Sequence, residues 1–133
     1  MMIQDTLPKI RFPKDTRVTK SKHVVKLVKK IALQQQEFGV VVTLKPDYMV
    51  GNIRIVSIGD VCEAVVSVRD IFRGALIDGA YGIIFIHNHP SGSLKASKAD
   101  KQLLKDIRKA GRILDVTVVD MIIIAGKKWR SVI

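Results

Sequence analysis

The chain has 133 residues, the length of one domain, and 47 % of them are hydrophobic, which excludes a disordered chain. Its single cysteine, Cys62, excludes a disulfide framework and a cysteine-based zinc finger. The net charge of +11 at pH 7 is large for this size and excludes an acidic, solvating protein.

The first third of the chain predicts an arm, a helix and a β-hairpin. Residues 1–19 contain two prolines, many charges and no long hydrophobic period, which is typical of an extended arm. From Ser21 to about Gln36, apolar residues recur at helical spacing with lysines between them. Two β-prone runs follow, Phe38–Leu44 and Asn52–Ile58, and their spacing predicts a hairpin.

The middle of the chain predicts a helix followed by a buried strand. Residues 61–67 are β-prone but short, and residues 68–81 place apolar side chains at helical spacing. The run Gly82–Ile86 is continuously apolar, as expected of a strand that is covered on both faces.

The last third predicts a helix and three strands. The helix spans Ser97–Ala110, and Gly111 is well placed to end it. Residues 116–119 and 121–125 are predicted strands, and residues 127–133 a final edge strand. Strands and helices that alternate in this way predict an α/β fold with a mixed central sheet and helices on both of its faces.

Basic residues are concentrated in residues 1–30, where only Asp5 and Asp15 oppose them. The basic residues are Lys9, Arg11, Lys14, Arg17, Lys20, Lys22, Lys26, Lys29 and Lys30. Such a patch attracts polyanions, so we expect weak, non-specific nucleic-acid binding through residues 1–30. A solvated arm and helix face explains the same charges equally well.

The start of the chain lacks the apolar core of a signal peptide, and no apolar run reaches membrane-spanning length. We therefore expect a soluble, cytoplasmic protein with no membrane partner. The sequence does not indicate an oligomeric state.

The stretch "IHNHPSGSLKASKAD" has the spacing of a metal site. His87 and His89 are two residues apart at the end of an apolar strand, so both side chains point to the same side of it. Catalytic zinc takes three protein ligands and leaves one position open, and Asp100, in the first turn of the next helix, supplies the third. The alternative is an ordinary helix start, since Ser97 and Asp100 also fit the capping-box pattern.

Three other metal or nuclease motifs do not fit this stretch. An HNH nuclease spreads its residues over a ββα unit instead of placing them side by side. A nucleobase deaminase needs H-x-E and a cysteine pair, and a zincin needs histidines four residues apart on a helix. None of these patterns is present in the sequence.

The pattern His87-x-His89-Pro90, followed by Ser97-x-x-Asp100, resembles the JAMM (MPN) metalloprotease motif. The wording "HNHPSG", preceded by "VRDIFRGALIDGAYGIIFI" and followed by "DMIII", is similar to the RadC branch of that superfamily. The resemblance runs from about Ser21 to the C-terminus. It implies a three-layer α/β/α deaminase-like fold, with a RadC-type domain over residues 20–133 behind the basic arm, residues 1–19.

The resemblance also implies the roles of individual residues. Zinc would be held by His87, His89, Asp100 and a water. Glu37, at the start of the first strand, would be the general base, and Ser97 would position or stabilise the oxyanion.

The sequence departs from the family pattern at two places. The usual P-x-P-S before the aspartate is "LKAS" here, and the usual D-H-I-I reads Asp120-Met121-Ile122-Ile123. The helix-hairpin-helix region that precedes this domain in longer RadC proteins is not in this sequence.

Two functional hypotheses follow. The first is a zinc-dependent hydrolase that cuts a peptide or isopeptide amide bond in an unidentified protein substrate. The alternative is a RadC-type accessory protein of nucleic acid, associated with DNA repair by the family name alone, whose metal site is structural or acts on an unknown substrate.

Overall fold

The computed structural model describes residues 5–59 and 66–133. Its helices are α1 (Ser21–Val28), α2 (Val68–Asp78) and α3 (Lys98–Leu114), with a 3₁₀ segment, Lys29–Leu33, after α1. Its strands are β1 (Glu37–Leu44), β2 (Val50–Gly59), β3 (Gly82–Asn88), β4 (Thr117–Ala125) and β5 (Lys128–Ser131).

The five strands form one mixed sheet in the order β2-β1-β3-β4-β5. The β1–β2, β1–β3 and β4–β5 pairs are antiparallel, whereas β3 and β4 are parallel. Helix α3 connects the two parallel strands, as a crossover connection requires. The predicted hairpin, the mixed sheet and the final edge strand are confirmed.

Apolar side chains cover both faces of the sheet. On one face, α1 packs Val24 and Val28 against strand residues such as Ile84. On the other face, α2 and α3 pack residues such as Ile71 and Ile107. Because successive strand residues point to opposite faces, the continuous apolar runs supply both layers. The predicted three-layer α/β/α arrangement is confirmed.

Helix α1 is shorter than predicted, because it ends at Val28 instead of near Gln36. The chain then continues as the 3₁₀ segment, in which Ile31 is buried in the core. The residues that follow, Gln34–Gln36, are exposed and polar, so they have no apolar contact that would hold them in the helix.

Two further predictions about the last third need correction. Residues 116–119 and 121–125 belong to one continuous strand, Thr117–Ala125, instead of two. Helix α3 runs through Gly111 and ends at Leu114, where Asp115 takes the left-handed conformation that ends helices.

Gly111 allows a close contact between α3 and the chain that follows the helix. A Cβ built at Gly111 would lie 2.4 Å from the carbonyl oxygen of Val116, a backbone atom that cannot move aside without distorting the turn into β4. The glycine therefore allows the helix to lie against the chain that follows it.

We expect Gly111→Ala to destabilise the protein by about 1–3 kcal/mol, although alanine is the better helix former. The measurement is the free energy of unfolding in urea. Gly59→Ala is the control, since a Cβ there meets no atom of the described residues within 4 Å. An unchanged or higher stability of Gly111→Ala would contradict this account.

The N-terminal segment lies along β2, the outer strand of the sheet. The backbone N–H of Ile10 donates to the carbonyl of Ile53, and that of Ile55 donates to Pro8, both at 2.8 Å. Val18 is buried in the core. Residues 5–18 thus pack along the sheet in an extended path with a turn at residues 14–15, and the domain boundary after residue 19 stays a prediction.

A buried ion cluster ties this segment to the sheet and to α2. The Arg54 side chain on β2 donates to both carboxylate oxygens of Asp78, each at 2.7 Å, and to Asp5. Arg54 is 1 % exposed. A Cβ at Gly74 would lie 2.4 Å from its guanidinium, so glycine there leaves the space that Arg54 fills.

Most of the β-prone stretch 61–67 lies outside the described residues, and Val66 and Ser67 are in neither strand nor helix. Within the described ranges, no helix has both the length and the apolar content that crossing a membrane requires.

Candidate metal centre

The two histidines come from the carboxyl end of β3. His87 follows Phe85 on the face covered by α2 and α3, and it is 4 % exposed. His89 lies just beyond the strand, where its backbone N–H donates to the carbonyl of Ile124 at 2.8 Å. This bond continues the β3–β4 pairing, so the side chains of His87 and His89 lie on the same side of the sheet. The imidazole centroids are 4.7 Å apart.

Asp100 is fixed by the start of α3. Its Oδ2 accepts from the backbone N–H of Ser97 at 2.8 Å, while its own N–H donates to Ser97 Oγ at 3.0 Å. This is a complete capping box. The capping alternative and the metal hypothesis are therefore compatible, because the cap holds the carboxylate beside the histidines.

The Asp100 carboxylate faces both imidazoles. Its Oδ1 lies 3.1 Å from His87 Nε2, and its Oδ2 lies 3.4 Å from His89 Nε2. The other ring nitrogens are occupied by acceptors: His87 Nδ1 is 3.0 Å from Glu37 Oε1, and His89 Nδ1 is 2.8 Å from the carbonyl oxygen of Ser93. Proton donation from both Nδ1 atoms leaves both Nε2 atoms available as ligands.

The two distances are of the length that separates ligands of one metal ion, with each imidazole facing a different oxygen of Asp100. Ligand atoms about 2.0–2.2 Å from a zinc ion are roughly 3.3–3.6 Å from one another, close to the two distances between Asp100 and the imidazoles. Two buried atoms here, His87 Nε2 and Glu37 Oε2, make no hydrogen bond with the described residues. His87 Nε2 is near Asp100 but not aligned with it as a donor. A cation and a water molecule would satisfy these atoms.

The charges of the site favour a cation beside His87. Burial lowers the pKa of His87, but the Asp100 and Glu37 carboxylates outweigh it and raise that pKa to about 9. Burial raises the pKa of Asp100, but His87 and His89 together with the Ser97 backbone hold it well below its usual range. The carboxylates thus stabilise positive charge at the His87 imidazole, whether a proton or a metal ion provides it.

A second ligand set shares the histidines. Glu37, His87 and His89 each offer a ligand atom within 4.8 Å of the others, so this group could hold a metal ion. The structure therefore brings the predicted ligands and Glu37 together and leaves two assignments of the third ligand, Asp100 or Glu37.

The predicted roles of the site residues stay predictions. Glu37 is beside His87, as the base was expected to be, but one of its oxygens is engaged with the imidazole. Ser97 caps α3 and is exposed to solvent. Met121, where the family pattern has histidine, is fully buried in the apolar core on the side of α2 and α3.

Sequence analysis missed Asn88, the residue between the two histidines. Its side chain is buried on the other face of β3, where Oδ1 accepts from the Phe38 N–H at 2.6 Å and Nδ2 donates to the Gln36 carbonyl at 2.9 Å. Asn88 thus ties the start of β1 to the end of β3, and Glu37 lies between its two partners. The sequence signal that could have identified Asn88 is a polar residue at the end of a buried apolar run.

An open cleft of about 520 Å³ adjoins His89. Its walls come from the 3₁₀ segment, the loop after β3 and the β4–β5 turn, including Leu33, Pro90, Gly92 and Gly126. Apart from His89, the residues that line it are uncharged.

Fold and site together define a mixed α/β domain with a histidine–carboxylate site at the end of a central strand. A family model described as "RadC-like JAB domain" matches residues 18–133. The chain belongs to this family.

Curated relatives carry an uninformative name. The chain is similar to a "UPF0758 protein" of Flavobacterium johnsoniae, 38 % identical over 117 residues, covering 86 % of this chain and 51 % of the relative. Proteins of the same name from Carboxydothermus hydrogenoformans and Thermotoga maritima are 41 % and 30 % identical, covering 77 % and 86 % of this chain and 45 % and 52 % of the relatives. The chain thus spans about half the length of these relatives.

Proposed function

We propose that this domain is a zinc-dependent hydrolase of the JAMM class that cleaves a peptide or isopeptide amide bond. The observation that carries the proposal is the convergence of His87 Nε2 and His89 Nε2 on one carboxylate, with both Nδ1 atoms already held by other acceptors. Membership of the RadC-like JAB domain family supports the same chemistry.

We assign His87, His89 and Asp100 as the zinc ligands, because the Asp100 oxygens lie at ligand-to-ligand distance from the imidazole Nε2 atoms. When bound, zinc would supply Lewis-acid activation of water and polarisation of the scissile carbonyl. Ser97 keeps the Asp100 carboxylate in place through the capping box, and the Ser93 carbonyl orients His89.

Glu37 carries the proton in this proposal. Its Oε1 accepts from His87 Nδ1, whereas the buried Oε2 has no partner among the described residues and can accept a proton from water. The oxygen of that water bonds to the carbonyl carbon, the C–N bond breaks, and Glu37 returns the proton to the leaving amine nitrogen. Water is thereby added across the amide, and Glu37 is regenerated.

Substrate would approach through the uncharged cleft beside His89. The hydroxyl of Ser97 accepts from the Asp100 N–H but retains its own proton, which it can donate to the oxyanion that forms at the carbonyl.

The first test is metal binding. We expect the purified protein to bind about one zinc ion per chain, and we expect His87→Ala and Asp100→Asn each to weaken zinc binding at least tenfold, since each variant removes a ligand. Zinc content by mass spectrometry and affinity by competition with a chelator check this.

The matched control is His23→Ala, because His23 lies on α1 and contacts Thr19 instead of the site. It should leave zinc affinity unchanged. Folded His87→Ala protein that holds zinc as tightly as the parent would contradict the ligand assignment. Zinc removal that unfolds a protein without hydrolytic activity would favour the alternative, a structural metal site.

A further inference from the structure

The outer face of α3 carries a concentration of positive charge on the other side of the helix from Asp100. Six basic side chains of this helix are exposed: Lys98, Lys101, Lys105, Arg108, Lys109 and Arg112. We call these six residues the α3 basic stripe. Neither metal binding nor amide hydrolysis uses any of them.

The stripe is narrow and straight. At 100° per residue, the six positions fall within about 100° of arc around the helix, and from the first to the last they span about 21 Å. The apolar side of the same helix, with Leu104 and Ile107, is buried against the sheet, so the stripe points directly into solvent.

Carboxylates do not neutralise the stripe. Within the described part of the chain, none of its six side chains forms an ion pair. Asp106 accepts from Gln102 at 3.0 Å, and Asp100 is buried at the metal centre. Asp115, which follows the helix, is the remaining nearby carboxylate.

The arrangement opposes the stability of the helix. Lys101–Lys105, Lys105–Lys109 and Arg108–Arg112 are like-charged pairs four residues apart, which destabilise a helix. Lys98 and Lys101 also lie near its positive N-terminal end. A solvated helix face normally mixes both signs of charge. A stripe of one sign that destabilises its own helix therefore indicates a binding role.

We propose that the α3 basic stripe binds the phosphate backbone of a nucleic-acid duplex without reading its sequence. A duplex carries one charge per roughly 1.7 Å of its axis, so a length of duplex equal to that of the stripe carries about a dozen phosphates, of which those on the facing side are within its reach. Lysine and arginine that contact phosphate give affinity and register but carry no base information.

Two other polyanions fit the stripe less well. A helix that lies on a membrane needs a long free apolar face to insert, whereas Leu104 and Ile107 of α3 are buried and its exposed Ile113 and Leu114 are confined to the last turn. Single strands are held by aromatic stacking, and α3 contains no aromatic residue. The stripe therefore favours a duplex over an anionic membrane or a single strand.

This surface is distinct from the one that the sequence predicted within residues 1–30. Helix α1 packs on one face of the sheet and α3 on the other, so the two basic regions face different directions. Four exposed basic side chains outside both basic regions provide a control of equal charge. They are Lys45, Lys127, Lys128 and Arg130.

The experiment compares two fourfold variants. One carries Lys101→Gln, Lys105→Gln, Arg108→Gln and Arg112→Gln, and the other replaces the four control residues by glutamine. Both lose four charges, and glutamine keeps helix propensity. Binding of a fluorescent random-sequence 20-base-pair duplex to the full chain is measured by anisotropy between 50 and 200 mM NaCl, about the range in which phosphate contacts dominate affinity.

We expect the stripe variant to bind the duplex at least tenfold more weakly at low salt, with a log–log salt slope that is smaller by about three to four. The control variant should change the affinity less than about threefold. Zinc content should be unchanged in both, which separates this result from failure of the hydrolase proposal.

Equal weakening by both variants, or weakening by the control variant alone, would overturn the proposal. So would tighter binding of the parent to vesicles of phosphatidylcholine and phosphatidylserine, or to a single strand, than to the duplex at the same salt concentration. If the fourfold stripe variant aggregates, the double variant Lys105→Gln with Arg108→Gln is measured instead. It should give about half the change in salt slope, and an unchanged slope and affinity would overturn the proposal.

Discussion

The Glu37→Gln protein is expected to keep its fold and its zinc while its amide hydrolysis falls about 10²–10⁴-fold. The glutamine oxygen can still accept from His87 Nδ1, which in the parent lies 3.0 Å from Glu37 Oε1, so the imidazole keeps its orientation. An amide cannot take the proton that the unpartnered Oε2 is proposed to accept. Hydrolysis is measured on an unbiased peptide mixture by mass spectrometry, with zinc content determined on the same samples.

The control is Glu63→Gln, the only other glutamate in the sequence, which should retain full activity. Glu63 lies outside the described residues, so this control rests on the sequence alone. Loss of zinc from Glu37→Gln would instead support the ligand set of Glu37, His87 and His89. Loss of activity in Glu63→Gln alone would reverse the assigned roles.

Arg54→Met is expected to destabilise the fold by about 2–4 kcal/mol, because it leaves the half-buried carboxylates of Asp5 and Asp78 without their counter-charge. Arg54 holds Asp78 through two bonds of 2.7 Å and Asp5 through a bond of 2.8 Å. The guanidinium outweighs the effect of burial on Asp78 and lowers its pKa, and it lowers that of Asp5, with help from Lys9, to about 2. Both carboxylates are therefore charged at neutral pH and need the arginine.

The matched control is Arg73→Met. Arg73 is paired with Asp70 at 3.0 Å, one turn away on α2, but both side chains are about 30 % exposed, at 32 % and 29 %. Water screens such a pair, so we expect a loss below about 1 kcal/mol. The free energies of unfolding come from urea titration. If Arg54→Met were no more destabilising than Arg73→Met, the cluster would not be a major source of stability.

Deletion of residues 1–19 would be a poor test of nucleic-acid binding by the basic side chains in that segment. That deletion would remove Asp5 from the ion cluster and Val18 from the core. Substitutions by glutamine at exposed positions remove the charge without removing these contacts, which is why the comparison of basic surfaces relies on glutamine variants.

The features that the sequence by itself determined are local ones. The apolar runs at β3 and β4, the helical spacing in α1 and α3, and the pattern from Ser97 to Asp100 follow from side-chain periods of a few residues. The same period placed His87 and His89 on one side of their strand. Such features need no knowledge of distant neighbours, and they were enough to predict the α/β class and to bring forward the candidate ligands.

Only the tertiary structure decided which distant residues meet. Glu37 reaches His87, 50 residues away, because the antiparallel register pairs Gly39 with His87 and because Asn88 holds the start of β1. The partners of Arg54 lie 24 and 49 residues away. Strand register and helix docking depend on how both faces of the sheet pack as a whole, and this packing has no local signature in the sequence.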